Sequence, residues 1–372
     1  MDARLAKTIA AIRASGADWG LFTSPDGVAY ASGHVVPIEA GPSPFAGGPS
    51  VTIVGVDGQC GLVVTNLEGG AASWASDIET YDGFTYQAPT DIHANYRRAV
   101  QSLAGRLGLG GTIAIERHAF PHSLADLLEG RAVADIEPAF RRERAIKTEV
   151  EIARLRQSAL AASAGQKAFH TLARPGRTEL DVFADIRLAM EGFAGERVPL
   201  TGDFISGRER TSAFMGWPGN RVLAEGDPLI CDLAPRVSGY WGDSCASAML
   251  GEPSPGYRRL FETVKSALDL AVEIAQPGLV IADLDARLQA HVARNGYSYA
   301  HHSGHSLGTS VHEWPRLVAY ETTPLAKDMV IMVEPTGLDP EIGGVRLEWM
   351  LRVTDSGCDV LTDFEHQVSI GG

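Results

Sequence analysis

Leu5, Ile9 and Ile12 recur at helical spacing and predict an amphipathic N-terminal helix ending near Gly16. Two β-prone apolar runs, 50–56 and 60–65, flank Asp57-Gly58, which reads as a type I′ hairpin turn. A helix near 91–107 then leads through Gly108-Leu109-Gly110-Gly111 into a strand at 112–116. Because these glycines precede the strand instead of following one, they form a helix-to-strand turn and no dinucleotide fingerprint. Residues 1 to about 140 therefore alternate helices and strands as an α/β unit without catalytic clusters, suited to shaping a pocket entrance or mediating dimerisation. Arg141-Arg142-Glu143-Arg144 reads as a solvated connector, and Thr148-Glu149-Val150-Glu151 as a capping box opening a long amphipathic helix. The expected domains are 1–142 and 143–372.

Beyond that boundary the pattern faintly repeats. A long helix ends in Arg174-Pro175-Gly176 and leads to another helix; about a hundred residues later a helix from about 255 ends in Gln276-Pro277-Gly278 and again leads to a shorter one. Each pair is followed by strands. Two such halves predict an α+β domain, a curved antiparallel sheet backed by helices.

Five potential ligands lie in those strand regions: Asp232, Asp243, His305, Glu334 and Glu348, each in a short apolar or glycine-flanked segment. Four carboxylates in one pocket repel one another, and some take up protons unless cations neutralise them. The set therefore reads as a two-metal hydrolytic site. A carboxylate-rich sphere with one imidazole suits Mn²⁺, Fe²⁺ or Co²⁺ and tolerates Zn²⁺; manganese is the expectation. In the segment 229–243, an apolar strand ends on Asp232, Gly239 turns the chain and a second strand reaches Asp243, so both carboxylates can return to one end of the sheet. Histidines follow at 301, 305 and 312, then Glu334-Pro335 and Arg346-Leu347-Glu348.

In this order of Asp, Asp, His, Glu and Glu, with the H-x₃-H-x₆-H run, the Glu-Pro pair and the Arg-x-Glu triplet, the chain resembles the pita-bread metallohydrolases. That family includes methionine aminopeptidase, aminopeptidase P, prolidase and creatinase. The match is strong from about 145 to the C-terminus and looser, through overall layout, before it. The resemblance implies that Asp232 chelates one ion, that Asp243 and Glu348 bridge both, and that His305 and Glu334 hold the second. It implies a metal-activated water as nucleophile, with Glu334 shuttling its proton to the leaving amine. His301 and His312 would orient substrate and stabilise the oxyanion. Arg346 would steady a ligand carboxylate.

One departure concerns substrate. The peptidases of the family carry a histidine upstream of the first aspartate, where this chain has Ala213-Phe214-Met215-Gly216-Trp217-Pro218. Met215 stands in its place, and a thioether cannot donate a hydrogen bond. Met215 and Trp217 are the candidate substrate contacts, Trp217 the better one. Trp241, Trp314 and Trp349 lie within two residues of a candidate ligand or site histidine and could wall a pocket for a proline ring or a quaternary ammonium, or simply pack beneath the sheet.

Other motifs carry less. Gly304-His305-Ser306-Leu307-Gly308 satisfies G-x-S-x-G, with His312 or His366 as the base, but the polar run before it and Pro315 after it do not fit a nucleophile elbow. The cysteines at 60, 231, 245 and 358 form no C-x-x-C pair and read as small buried hydrophobes.

Composition fits a cytoplasmic enzyme. With 372 residues, 45% apolar and 21% charged, the chain can bury a large core. A net charge of −14 disfavours nucleic acid and anionic membranes as partners. No apolar run approaches a membrane span, and the first helix is unlike a signal sequence. The leading expectation is a dinuclear hydrolase that cleaves before proline in small peptides, an Xaa-Pro dipeptidase or aminopeptidase. The alternatives are a creatinase-like hydrolase or lyase acting on a small non-peptide amide, amidine or quaternary ammonium compound, and a catalytically silent binding module. A homodimer is expected from the resemblance alone.

Overall fold

The computed structural model describes every residue except Met1, Glu39, Ala40, Pro42, Gly69, Gly70, Ala71, Phe214, Met215, Ala300 and Gly372. The chain divides into two units, 1–144 and 145–372.

The first unit runs α1 (Ala3–Ala14), β1 (Trp19–Phe22), α2 (Pro25–Ser32), β2 (Val51–Gly55), β3 (Cys60–Thr65), β4 (Asp77–Tyr81), α3 (Ile92–Leu107), β5 (Ile113–Ile115), β6 (Val133–Asp135) and α4 (Glu137–Ala145). Its strands form one mixed sheet in the order β4-β3-β2-β1-β5-β6. Strands β1, β2 and β3 are buried along their whole length because helices cover both faces. Leu21, Ile53 and Val63 pack with Tyr96, Val100 and Leu103 of α3. Phe22, Val54 and Cys60 point the other way, to Leu5, Ile9 and Ile12 of α1, Tyr30 of α2 and Phe140 of α4. Edge strand β4 alternates inward and outward residues, with only one face covered.

Two details differ from the sequence pattern. Gly55 N–H donates to Gln59 O and Gly58 N–H to Gly55 O, and of the Asp57-Gly58 pair only Gly58 has positive φ, 98°. A type I′ turn needs both residues there, so the connection is a longer loop that ends on a left-handed glycine. The charged run at 141–144 is helical, the last turn of α4, with arginines near the negative end of the helix dipole.

The second unit begins with α5 (Glu149–Leu172) and α6 (Glu179–Ala194), followed by β7 (Leu200–Thr201), β8 (Phe204–Ser206), α7 (Arg208–Ser212), β9 (Pro228–Asp232), β10 (Ala234–Val237), β11 (Tyr240–Trp241) and β12 (Cys245–Leu250). A second helix pair, α8 (Pro255–Ile274) and α9 (Ile281–Arg294), precedes β13 (Gly304–Ser306), β14 (Glu313–Leu317), β15 (Val330–Val333), β16 (Thr336–Asp339), β17 (Gly343–Arg346), β18 (Trp349–Val353), β19 (Cys358–Val360) and β20 (Ser369–Ile370). Reciprocal capping boxes open α5 at Thr148 and α6 at Thr178, each cap contributing about 1 kcal/mol.

The repeat is physical. In the first half the Pro-Gly turn donates Gly176 N–H to Leu223 O, and Thr178 bridges Val222. In the second half Gly278 N–H donates to Leu325 O, and Val280 bridges Pro324. Strands β8, β9 and β12 with α5 and α6 form one apolar core, and β14, β15 and β18 with α8 and α9 form another. Trp349 packs against both. The pairings within these strands are antiparallel except β12 with β20, which is parallel. No helix among the described residues is long and apolar enough to cross a membrane.

Candidate metal centre

The hairpin at Gly239 is short: Ser238 and Gly239 both have positive φ between Val237 and Tyr240. The longer pairing is β9 with β12, in which Cys245 lies opposite Asp232. Asp243 sits just before β12, so both aspartates reach the same sheet end. His305 is placed by β13. Its neighbour Gly304 has φ 146°, and a Cβ there would lie 2.0 Å from Met332 O, so only glycine lets β13 close on β15. Glu334 follows β15, and Arg346 ends β17 with Glu348 two residues on. Ser247 Oγ donates to Arg346 O and accepts Arg346 N–H, both at 2.9 Å, fixing β17 against β12.

The ligand atoms of Asp232, Asp243 and Glu348 lie within 4.8 Å of one another, as do those of His301, His302 and Glu334. His305 Nε2 lies 3.5 Å from Asp243 Oδ2 and 3.7 Å from Glu334 Oε1. Asp243, His305, Glu334, Arg346 and Glu348 are all at most 6% exposed.

Burial pushes the Asp243 carboxyl up to about 7 and holds Asp232, Glu334 and Glu348 well above the usual carboxylate range; Arg346 opposes each rise. The carboxylates of Asp232, Asp243 and Glu334 add to the rise at Glu348. Burial also lowers the histidines, His305 to about 4 and both His301 and His312 to about 3, so the rings are neutral near pH 7.

The partners of each ring assign its hydrogens. His305 Nδ1 lies 2.9 Å from Ser306 O, a carbonyl that can only accept, so Nδ1 carries the hydrogen and Nε2 aims a lone pair at two carboxylates. Glu334 Oε1 is buried with no hydrogen-bond partner among the described residues. Lone pair facing carboxylate, with an unsatisfied carboxylate oxygen beside it, is the arrangement that a divalent cation completes. The residues present therefore fit metal. His312 Nδ1 receives Arg316 Nη2 at 3.4 Å, which leaves Nε2 as the hydrogen-bearing nitrogen. His301 Nε2 lies 2.9 Å from Thr336 Oγ1, whose hydroxyl also reaches Glu334 O at 3.3 Å.

Arg346 is buried at the centre of the site. Its Nη2 donates to Asp232 Oδ2 at 2.6 Å and to Asp203 Oδ2 at 3.1 Å, and its Nε lies 3.3 Å from Glu348 Oε1. Asp203 carried no motif in the sequence and is found only through this pairing. His302 was also passed over: it sits among His301, His305 and His312 with ring centroids 5.1, 5.8 and 6.0 Å away, and its Nδ1 is 3.4 Å from Glu334 Oε1. The doubled histidine was its one visible signal.

The substrate-side expectations fare differently. Met215 lies outside the described residues. Trp217 is 75% exposed, with its carbonyl held by Arg210 Nη2 at 2.8 Å. Trp241 is buried, and Trp314 and Trp349 pack against the core, Trp314 donating Nε1–H to Glu321, so a wall of tryptophans does not assemble. Ser306 Oγ donates to Val330 O inside β13, where it serves strand pairing and not a nucleophile elbow. Burial raises the thiols of Cys231 and Cys245 well above their usual value, so neither is a thiolate ligand.

The comparisons with known proteins point to the same chemistry. The Xaa-Pro dipeptidase of Pyrococcus furiosus is 26% identical over 99% of this chain and 100% of its own length. That of Pyrococcus horikoshii is 29% identical over 93% and 95%. The crystal structure of the prolidase from P. horikoshii OT3 superposes with a TM-score of 0.80 at 25% identity, covering 98% of this chain and 99% of that one. The Creatinase/Prolidase N-terminal domain matches residues 4–146, and Metallopeptidase family M24 matches residues 153–355. With more than half of its residues inside that second match, the chain belongs to metallopeptidase family M24.

Proposed function

We propose that this metallopeptidase is an Xaa-Pro dipeptidase holding two divalent cations, manganese by the hardness of its donor set. The observation that carries the reading is the gathering of four carboxylates, with Asp243, Glu334 and Glu348 buried and Asp232 half-buried, beside His305, whose Nε2 lone pair faces Asp243 and Glu334, a charge set that needs cations to be stable at neutral pH. Relatives named Xaa-Pro dipeptidase along nearly the whole chain supply the substrate class. The creatinase-like alternative is not favoured.

Asp232 would hold one ion, His305 and Glu334 the other, with Asp243 and Glu348 between them. When bound, the cations supply Lewis acidity and bring the pKa of a water toward neutrality. The chain does the rest. Arg346 pins Asp232 so that its carboxylate does not swing out of the bed. His312 presents a hydrogen at Nε2 for the oxyanion, while His301 is braced by Thr336 for orienting the substrate. Glu334 accepts a proton and delivers it to the proline nitrogen as the peptide bond breaks. Trp217 offers an indole face to the substrate. Domains over 1–142 and 143–372, a homodimer and a cytoplasmic location belong to the same reading.

Protein reconstituted with Mn²⁺ is expected to cleave Xaa-Pro dipeptides, with Xaa-Pro-Yaa tripeptides and a chelated control separating dipeptidase from aminopeptidase. Asp243→Asn should lose metal binding and turnover by more than the roughly 10–100-fold that removing a mere hydrogen-bond partner of a ligand costs. Wild-type activity in that variant, or silence across the panel from protein shown to hold two metals, would sink the assignment.

A further inference from the structure

Asp203 joins two parts of the catalytic unit. Its Oδ1 accepts Gly216 N–H at 3.0 Å, and its Oδ2 accepts Arg346 Nη2 at 3.1 Å. The same guanidinium nitrogen donates to Asp232 Oδ2 at 2.6 Å. One carboxylate therefore ties the backbone beside Trp217 to the arginine that steadies a metal-ligand aspartate.

The surrounding packing keeps that link short. Asp232 N–H donates to Asp203 O at 2.7 Å, so Asp203 and Asp232 are bound through backbone as well as through Arg346. Gly202 has φ 124°, and a Cβ there would lie 2.3 Å from Asp232 O, so the segment before Asp203 is pressed onto β9. Gly216 is equally confined, with a Cβ position 2.9 Å from Ile205 Cγ2.

The second half repeats the device with another side chain. Glu334 N–H donates to Ser303 O at 3.0 Å, as Asp232 does to Asp203. Ser303 Oγ then donates to Asp285 Oδ1 at 2.6 Å and accepts Tyr299 O–H at 2.9 Å. At matching places the residue just before a strand, beside a candidate ligand, thus bonds it by backbone and braces the surroundings by side chain. In the second half the brace runs into helix α9; in the first it runs to the loop bearing the exposed tryptophan.

We propose that Asp203 is a positioning residue that fixes the backbone at Gly216 and Trp217 relative to Arg346 and the metal bed and thereby sets the affinity for substrate. Other contacts anchor the far side of the loop: Arg210 holds Trp217 O and Glu179 Oε2 accepts Gly219 N–H at 2.9 Å. Among the described residues, Asp203 is the loop contact that also touches Arg346. The inference rests on the Xaa-Pro hydrolase reading for its kinetic arm only.

The test compares wild type with Asp203→Ala and Asp203→Asn in the full chain. Asparagine keeps one acceptor for Gly216 but turns a donor toward Arg346, so it can retain only one of the two bonds. Hydrogen exchange of peptides covering Gly216 and Trp217 is expected to quicken at least tenfold in Asp203→Ala and less in Asp203→Asn. KM for an Xaa-Pro dipeptide should rise at least tenfold, with kcat and Mn²⁺ affinity within about threefold of wild type. If Asp203→Ala does not fold, the Asn variant carries both readouts. Unchanged exchange, or a fall in kcat and metal affinity at constant KM, would overturn the proposal. A wild-type protein that cleaves no Xaa-Pro peptide would remove the functional reading, and the exchange result would still decide the role of Asp203 in holding the loop.

Discussion

Lys147 Nζ lies 2.8 Å from Glu313 Oε2, with the lysine side chain wholly enclosed and that of the glutamate 6% exposed. Glu313 also accepts Ser310 N–H at 3.2 Å and directly follows His312, so the pair fixes the segment that carries a candidate catalytic ring. Removing one member of a buried ion pair leaves its charge in a poor dielectric, at a cost of about 3–5 kcal/mol. Lys147→Met is therefore expected to lose that much in urea unfolding of the loaded protein, and Lys147→Met with Glu313→Leu to recover most of it. A single variant within about 1 kcal/mol of wild type would show that the pair is not needed for stability.

Metal-free protein should lose stability as pH rises through neutrality. The site histidines are held below the unfolded value of about 6.5, so their contribution grows with pH and is complete above it. The carboxyls have the opposite sign. Asp243 at about 7, with Asp232, Glu334 and Glu348 also raised, still binds protons that the unfolded chain released near pH 4, and that advantage disappears as these groups ionise. Between about pH 6.5 and 8 the melting temperature of chelated protein should fall, and bound Mn²⁺ should flatten the curve. Equal slopes with and without metal would contradict the raised carboxyls.

Trp217→Ala should leave folding almost untouched, within about 0.5 kcal/mol, because the side chain is 75% exposed. A contact with substrate would appear instead in KM for Xaa-Pro peptides, expected to rise by about tenfold, the loss of one stacking contact of about 1.4 kcal/mol. Unaltered KM in Trp217→Ala would take this residue out of substrate binding.

Sequence alone located the elements whose causes are local. Thr148 and Glu151 form the capping box their spacing predicts, and the two Pro-Gly turns close onto equivalent partners in each half. The five candidate ligands were visible because ligand-type side chains within or next to short apolar strands are conspicuous. Asp203 was not, since it gains meaning only when β9 and Arg346 arrive beside it, contacts 29 and 143 residues distant along the chain. The supposed tryptophan wall failed for a reason chain geometry explains: Glu348 and Trp349 are successive residues where the extended chain enters β18 and face opposite ways, so with Glu348 in the site Trp349 turns to the helices, where Lys265 Nζ lies 5.0 Å over its ring. At Asp57-Gly58 the dipeptide was right for a turn, but the Gly55–Gln59 hydrogen bond selected a longer loop.

Asp232 and Asp243 come from one repeat, and His305, Glu334 and Glu348 from the other. A cation gripped by both stitches the repeats together and has no such grip on the unfolded chain. At a free concentration one hundred times its Kd, each ion adds about 2.7 kcal/mol to the folded state. Scarcity of divalent metal would then act twice, idling the molecules that survive and shortening the lifetime of the rest.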